Sequence, residues 1–199
     1  SFWDCTIENS LSEKSVLRLG FCQIKGLNKI DIDNLIRIRK YLGGRFISIT
    51  QAHNIGIKYS TLEKLAWADA FASFAIDRRI ALWELRGLET IPNTPLLGCI
   101  TNNPSSMMPL PTMSLAENVT IDYETMRLSL KSHPLVFLRP NLKLNGYDTC
   151  HCLTSKPDGS LVKLAGLVIT RQQPLSAKGV MFLTIEDESG IVNLIIWRR

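Results

Sequence analysis

No stretch of this 199-residue chain is apolar for the roughly 18 consecutive residues that a membrane-spanning helix needs. No signal peptide is visible either, since Ser1 opens a polar stretch with Trp3 and Asp4. Cysteine is sparse and odd in number, five residues set in no disulfide framework, which favours a reducing, cytoplasmic setting. Cys150-His151-Cys152 has no neighbouring C-x-x-C pair to complete the four ligands of a structural zinc, and His133 and Cys99 do not complete it. The chain lacks a nucleophile elbow, a Walker loop and a dinucleotide-binding glycine pattern, so the local sequence offers no complete active site. It also lacks an internal repeat of fixed period.

What remains is an ordinary globular composition, 45% apolar, long enough for one large domain or two small ones. The net charge of +5 is unevenly spread. Between Lys14 and Arg86 stand 13 Lys or Arg against 6 Asp or Glu, and the rest of the chain is slightly acidic. A basic excess confined to one segment suits an anionic partner there; a solvated helical surface gives the same count.

Ser15 to Gly87 reads as mainly helical. In Asp31 to Lys40, Ile32, Leu35 and Ile36 form one stripe with Arg37 and Lys40 off it. Ser60-Thr61-Leu62-Glu63 has the form of a capping box that opens a second helix. Asp77 can cap a third, with Ile80, Leu82, Trp83 and Leu85 as its apolar content. Five of the nine prolines fall between Thr90 and Met113, which reads as a linker. Ser114 to Glu117 repeats the capping box and starts a short helix toward Arg127.

The C-terminal part changes character. Leu161 to Thr170, then the run from Arg171 to Trp197, read as three β-strands, joined first by a loop with Pro174 and then by the acidic turn before Gly190. Such strands suit the start of a small barrel. Arg171, Gln172, Gln173 and Lys178 are expected in the first joint. Phe182 and Trp197 are the available stacking aromatics. Met181, Leu183 and Ile185 share one face and Val180, Phe182 and Thr184 the other, and because both are largely apolar, the pattern leaves open which is inside. Glu186, Asp187 and Glu188 fit solvated turn residues better than a metal site.

Gln23-Ile24-Lys25-Gly26-Leu27-Asn28, followed by the helix of Ile32 and Leu35, resembles a helix-hairpin-helix. A tight turn at a helix N-terminus exposes backbone N–H groups that, with the helix dipole, hold a phosphate without reading the base. Gly26 fits that scheme, and Asn28 stands where a second glycine is expected, a residue tolerant of the left-handed conformation. The same residues also fit an ordinary helix–turn–helix connection. Leu65 to Arg79 resembles a second hairpin, with Ala75 where glycine is common; Arg78 and Arg79 at the next helix start can contact phosphate or solvent.

Longer blocks carry a family resemblance: FWDCT from Phe2, LRLGFCQIKGL from Leu17, ADAFASFAIDRRIALWELRGL ending at Leu88, MSLAENVTIDYETMRLSLKSHPLVFLRP from Met113, and RQQPLSAKG from Arg171. The sequence resembles bacterial C-family DNA polymerases, in particular the error-prone paralogue of mutagenesis cassettes. That resemblance implies an α+β chain: a tandem helix-hairpin-helix region (1–89), a Pro-rich linker (90–113), a helical connector (114–143) and a partial OB-fold (144–199). It implies DNA as partner, duplex and single-stranded, with no membrane. Lys25, Gly26, Leu27, Asn28, Lys29, Arg78 and Arg79 are then expected on duplex phosphates, and Arg171, Gln172, Lys178 and Phe182 on single strand. The family's activity is template-directed nucleotidyl transfer on paired metal-binding carboxylates. Those carboxylates and their Mg²⁺ are expected in an upstream domain, so no cofactor and no catalytic residue is assigned here, and primer extension by this chain is expected to be absent. We read the chain, from Ser1 to a strand end at Arg199, as part of something longer, with three of the five barrel strands and a mobile loop between the first two. The alternative is a scaffolding module that docks the sliding clamp or other mutasome proteins.

Overall fold

The computed structural model describes residues 1–9, 15–89, 110–177 and 179–197. Within them the chain is α+β, with six α-helices and two antiparallel sheets, divided into two compact units, Ser1–Leu128 and Ser129–Arg199. No helix among the described residues is long and apolar enough to cross a membrane.

The first unit opens on a two-stranded ribbon that the helical reading did not anticipate. β1 (Thr6–Asn9) pairs antiparallel with β2 (Ser15–Arg18), Ile7 opposite Leu17 and Glu8 opposite Val16. Arg18 Nε donates to Glu8 Oε1 at 2.5 Å across the ribbon. Exposed pairs of this kind fix register more than they add stability. The chain before β1 runs beside the chain after β2: the amides of Phe21 and Cys22 donate to the carbonyls of Phe2 and Trp3, both at 2.9 Å. A Cβ at Gly20 would stand 2.4 Å from the Trp3 carbonyl oxygen, so only glycine allows that approach.

Four helices then build the core: α1 (Lys29–Tyr41), α2 (Ile49–Asn54), α3 (Tyr59–Trp67) and α4 (Arg78–Glu89). The predicted stripe of α1 is the buried one. Ile32 and Leu35 lie in the interior and Ile36 packs at its edge. Asp77 caps α4 as expected, its Oδ1 accepting the Arg79 amide at 2.8 Å. The buried face of α4 is Ala81 and Leu85, whereas Trp83 points outward at 60% exposure.

The capping box expected at Ser60–Glu63 does not form. α3 begins two residues earlier, after Lys58, with no side-chain cap, and Thr61 is buried inside the helix. Burial of Ile57 just before it and Leu62 within it sets the start of α3, and tertiary packing overrides the local cap. The box at Ser114 does form. Ser114 Oγ accepts the Glu117 amide, and Glu117 returns to the Ser114 amide at the start of α5 (Leu115–Met126). The segment read as a connector, 114–143, is shared out, α5 in the first unit and the next helix in the second. Of the expected linker, residues 90–109 lie outside the described residues.

The second unit contains α6 (Leu135–Leu144), a single-turn helix at His151–Ser155, and an antiparallel meander of β3 (Leu167–Gln172), β4 (Met181–Asp187) and β5 (Gly190–Ile196). The first strand starts later than expected, with Leu161 fully exposed ahead of it. Consequently Arg171 and Gln172 are not in a joint: they lie in β3, opposite Leu183 and Phe182. The apolar run simply extends its pairing until Gln173 and Pro174, and proline lacks the N–H that a ladder needs. Ile185 and Asp187 face inward, and Phe182, on the opposite side, is 38% exposed.

The acidic turn is not merely solvated. Arg139 of α6 pairs through Nε with Glu188 and through Nη2 with Asp187 Oδ2 at 3.0 Å. Asp187 Oδ2 also accepts the Cys150 amide at 2.7 Å, and its Oδ1 accepts Ser189 N and Oγ at 2.7 and 2.6 Å. One buried carboxylate thereby joins α6, the His151 turn and the β4–β5 hairpin.

Candidate nucleic-acid interface

The hairpin ahead of α1 is built from one left-handed residue and one cap. Gly26 has φ +76°, a conformation that is costly for any side chain with a Cβ. Asn28 departs from expectation. It is extended (φ −98°, ψ 132°) and caps α1 through its side chain, Oδ1 accepting the Ile30 amide at 2.9 Å. One left-handed residue is enough to reverse the chain, and asparagine's oxygen does more good satisfying an orphan N–H of the first turn.

This cap settles which amides are already taken. Ile30 N is taken by Asn28, Leu27 N by the Ile24 carbonyl at 3.4 Å, and Lys25 N by the Thr125 carbonyl at 2.8 Å. The amides of Gly26, Asn28 and Lys29 have no acceptor among the described residues. Lys25, Gly26, Asn28 and Lys29 are exposed, and Leu27 is half-buried against the core. Sequence reading missed Lys64 of α3, whose Nζ donates to the Gly26 carbonyl at 2.5 Å. With the two residues 38 positions apart, no local pattern could have announced it. The contact pins the hairpin to α3 and places a third ammonium group beside the turn.

The second turn, Ala68 to Asp77, carries two non-glycine residues in left-handed conformation, Asp69 (φ 58°) and Ala75 (φ 57°). Phe71 and Phe74 stack within it, ring centroids 5.7 Å apart, and Phe71 is buried. The turn is held by packing. Both of its arginines have partners within the fold. Arg78 is 1% exposed, its guanidinium paired with Asp122 and donating to the Asn118 carbonyl at 3.1 Å. Arg79 donates to the Pro111 carbonyl at 2.7 Å and lies 3.9 Å from Glu117. The expectation for Arg78 is therefore corrected: its charge is spent inside the fold. Arg79 is partly exposed but already engaged.

In the second unit Phe182 stands on the exposed face of β4 opposite Gln172 and Ile195. Lys178 lies outside the described residues. Among those described, no group of three or more His, Cys, Asp or Glu could hold a metal ion.

A helix-hairpin-helix family model matches residues 1–81, the stretch that contains the Gly26 hairpin and α1 to α3. An error-prone DNA polymerase of Brucella abortus is 43% identical over the whole chain, and one of Rhodopseudomonas palustris is 39% identical over 99% of it. Along its whole length the chain is similar to one part of these error-prone DNA polymerases. It spans 19% of the length of those two relatives. An error-prone polymerase from Sinorhizobium medicae is 38% identical over 95% of the chain and 17% of its own length.

Within the first unit Ala75 is the position at which a glycine is the better residue. A left-handed non-glycine residue costs roughly 1–2 kcal/mol, and Ala75 is exposed, so loss of its methyl opens no cavity. Glycine's greater freedom in the unfolded chain offsets roughly 0.5–1 kcal/mol of that. Ala75→Gly is expected to stabilise the first unit by about 0.5–1 kcal/mol, read as a higher urea midpoint. A lower midpoint would show that the methyl packs in a way its exposure conceals.

Proposed function

We propose that the first unit is the duplex-binding module of an error-prone DNA polymerase, acting in damage-induced mutagenesis and translesion synthesis, with the Gly26 hairpin as its phosphate site. The observation that carries this is the trio of amides at the exposed residues Gly26, Asn28 and Lys29 with no acceptor among the described residues, set at the N-terminus of a 13-residue helix and flanked by Lys25, Lys29 and Lys64. Aligned N–H groups and the positive helix end hold an anion while ignoring the base.

The charge distribution supports the same place. Among the basic residues from Lys14 to Arg86, Arg18, Lys58, Arg78 and Arg79 face carboxylates, and Arg39 and Lys64 donate to backbone carbonyls. Lys25, Lys29, Arg37, Lys40, Arg45 and Arg86 have no ion pair to a described carboxylate, and five of these six fall between positions 25 and 45. The uncommitted positive charge belongs to the hairpin and α1.

The meander of the second unit, in our reading, is the first part of an OB-fold, with the Phe182 face offered to single-stranded template. Gln172 neighbours Phe182 on that face, whereas Arg171 points the other way by strand alternation. Nucleotidyl transfer, with its Mg²⁺, is assigned to the remainder of the polymerase. A second reading, docking of the sliding clamp or another mutasome protein, finds its best support in the exposed apolar pair Ile7 and Leu17 on the β1–β2 ribbon.

Salt separates the two. Lys25→Ala with Lys29→Ala is expected to lower the slope of log affinity against log salt by about one unit per lost phosphate contact, equally for any duplex sequence. Gly26→Val is expected to weaken duplex binding by distorting the turn. A folded double variant with unchanged affinity and slope would remove the hairpin from the interface.

A further inference from the structure

The far end of α1 sets an exposed aromatic, which the duplex reading leaves unused, among the basic residues of that helix. Tyr41 is 89% exposed. Arg37, Lys40 and Tyr41 share one side of the helix by their spacing of three and four. Arg45 follows after Gly43 and Gly44. Arg37, Lys40 and Arg45 are exposed, and none is paired with a described carboxylate. Both glycines have positive φ, +75° and +95°, and a Cβ on either would meet nothing within 4 Å. The backbone beside Tyr41 therefore lies open to close approach.

We propose that this end of α1 is a single-strand contact: Tyr41 stacks on one base while Arg37, Lys40 and Arg45 take the flanking phosphates. The proposal rests on the duplex site at Gly26, with which it shares a helix. The 13 residues of α1 put Tyr41 about 18 Å from the hairpin at 1.5 Å per residue. That span is about five nucleotide steps at 3.4 Å each. A nucleic acid held by a duplex phosphate at Gly26 would reach Tyr41 beyond a primer–template junction. Base–aromatic stacking flanked by cations is how sequence-tolerant single-strand sites are made. A protein partner seated on Tyr41 and the neighbouring Ile47, 82% exposed, would instead have to bury three cations against a matching set of acids.

The test uses the full chain with three labelled probes of mixed sequence: a blunt duplex, the same duplex with a single-stranded tail, and the single strand alone. Tyr41→Ala is expected to weaken the tailed and single-stranded probes about five- to 100-fold and to leave the blunt duplex unchanged. Tyr41→Phe is expected to bind like wild type, because the ring is retained. In a parallel measurement, a single strand substituted with 5-iododeoxyuridine should photocrosslink to the peptide containing Tyr41. Equal binding of the tailed probe by wild type and Tyr41→Ala, or crosslinks confined to other peptides, overturns the proposal. If blunt duplex is bound while this happens, the hairpin reading survives and only the Tyr41 assignment fails. If wild type binds none of the probes, the hairpin reading has failed first and this one falls with it.

Discussion

Arg78→Ala is expected to cost the first unit about 3–5 kcal/mol, enough to unfold many domains of this size. The side chain is fully buried, its guanidinium against the Asp122 carboxylate, which is itself 3% exposed, and against the Asn118 carbonyl. Truncation removes the cation and leaves the carboxylate in a medium that cannot solvate it. Lysine is a poor substitute, since a point charge cannot serve two acceptors in the fork geometry of a guanidinium. Replacing both partners, Arg78→Met with Asp122→Leu, is expected to recover most of the loss, because two well-packed apolar groups avoid the desolvation that the ion pair must overcome. Urea unfolding of the three variants completes the comparison. A single variant that loses under about 1 kcal/mol would mean that water reaches this pair.

The same pair explains why charge in the sequence misled. Arg78-Arg79 at a helix start has the composition of a phosphate site, and nothing within ten residues says otherwise. The partner, Asp122, is 44 positions away, on a helix reached only after the proline-rich stretch. A folded Arg78 variant should therefore leave the salt slope of DNA binding unchanged, whereas the hairpin lysines should not.

Features governed by neighbours in sequence were legible. The α1 stripe, the Asp77 cap, the Ser114–Glu117 box and the left-handed Gly26 all depend on residues one to four positions apart, which is the range over which periodicity and capping chemistry act. What failed depended on distance. Ser60 and Glu63 could cap a helix, but buried Ile57 and Leu62 fixed where it began. Arg171 and Gln172 read as a basic loop until pairing with β4 extended the strand through them. Lys64 gave no sign that it would reach the hairpin. Phe182 was undecidable by alternation because both faces of β4 are apolar, and only Ile185 and Asp187 turning inward made it the outer one. At the hairpin, then, local chemistry announced the amides, while the fold decided which cations remained unpaired beside them.

Asp187→Asn is expected to destabilise the second unit by about 3 kcal/mol, by turning a convergent acceptor into a mixed donor and acceptor. Five donors meet the native carboxylate: the Cys150 amide, Ser189 N and Oγ, the Gly190 amide and Arg139 Nη2. An asparagine NH₂ must face some of them. Burial alone would raise this carboxyl, but the hydrogen bonds from Ser189 and Cys150 outweigh it and hold Asp187 at about 2. Because the folded value lies below the usual 3.8, the stabilisation is complete above that value and is lost as pH falls toward about 2. At roughly 1.4 kcal/mol per unit the swing is about 2 kcal/mol. Glu188 adds to it with the same sign, since its hydrogen bond from Arg139 also lowers its carboxyl. Amide exchange in β4 and β5, followed at pH 7, 4 and 2.5, should show wild type losing protection across the lowest interval. The Asp187→Asn protein should be less protected at every pH and show a shallower loss. Parallel loss in the two proteins would mean that the acid sensitivity of this unit arises elsewhere.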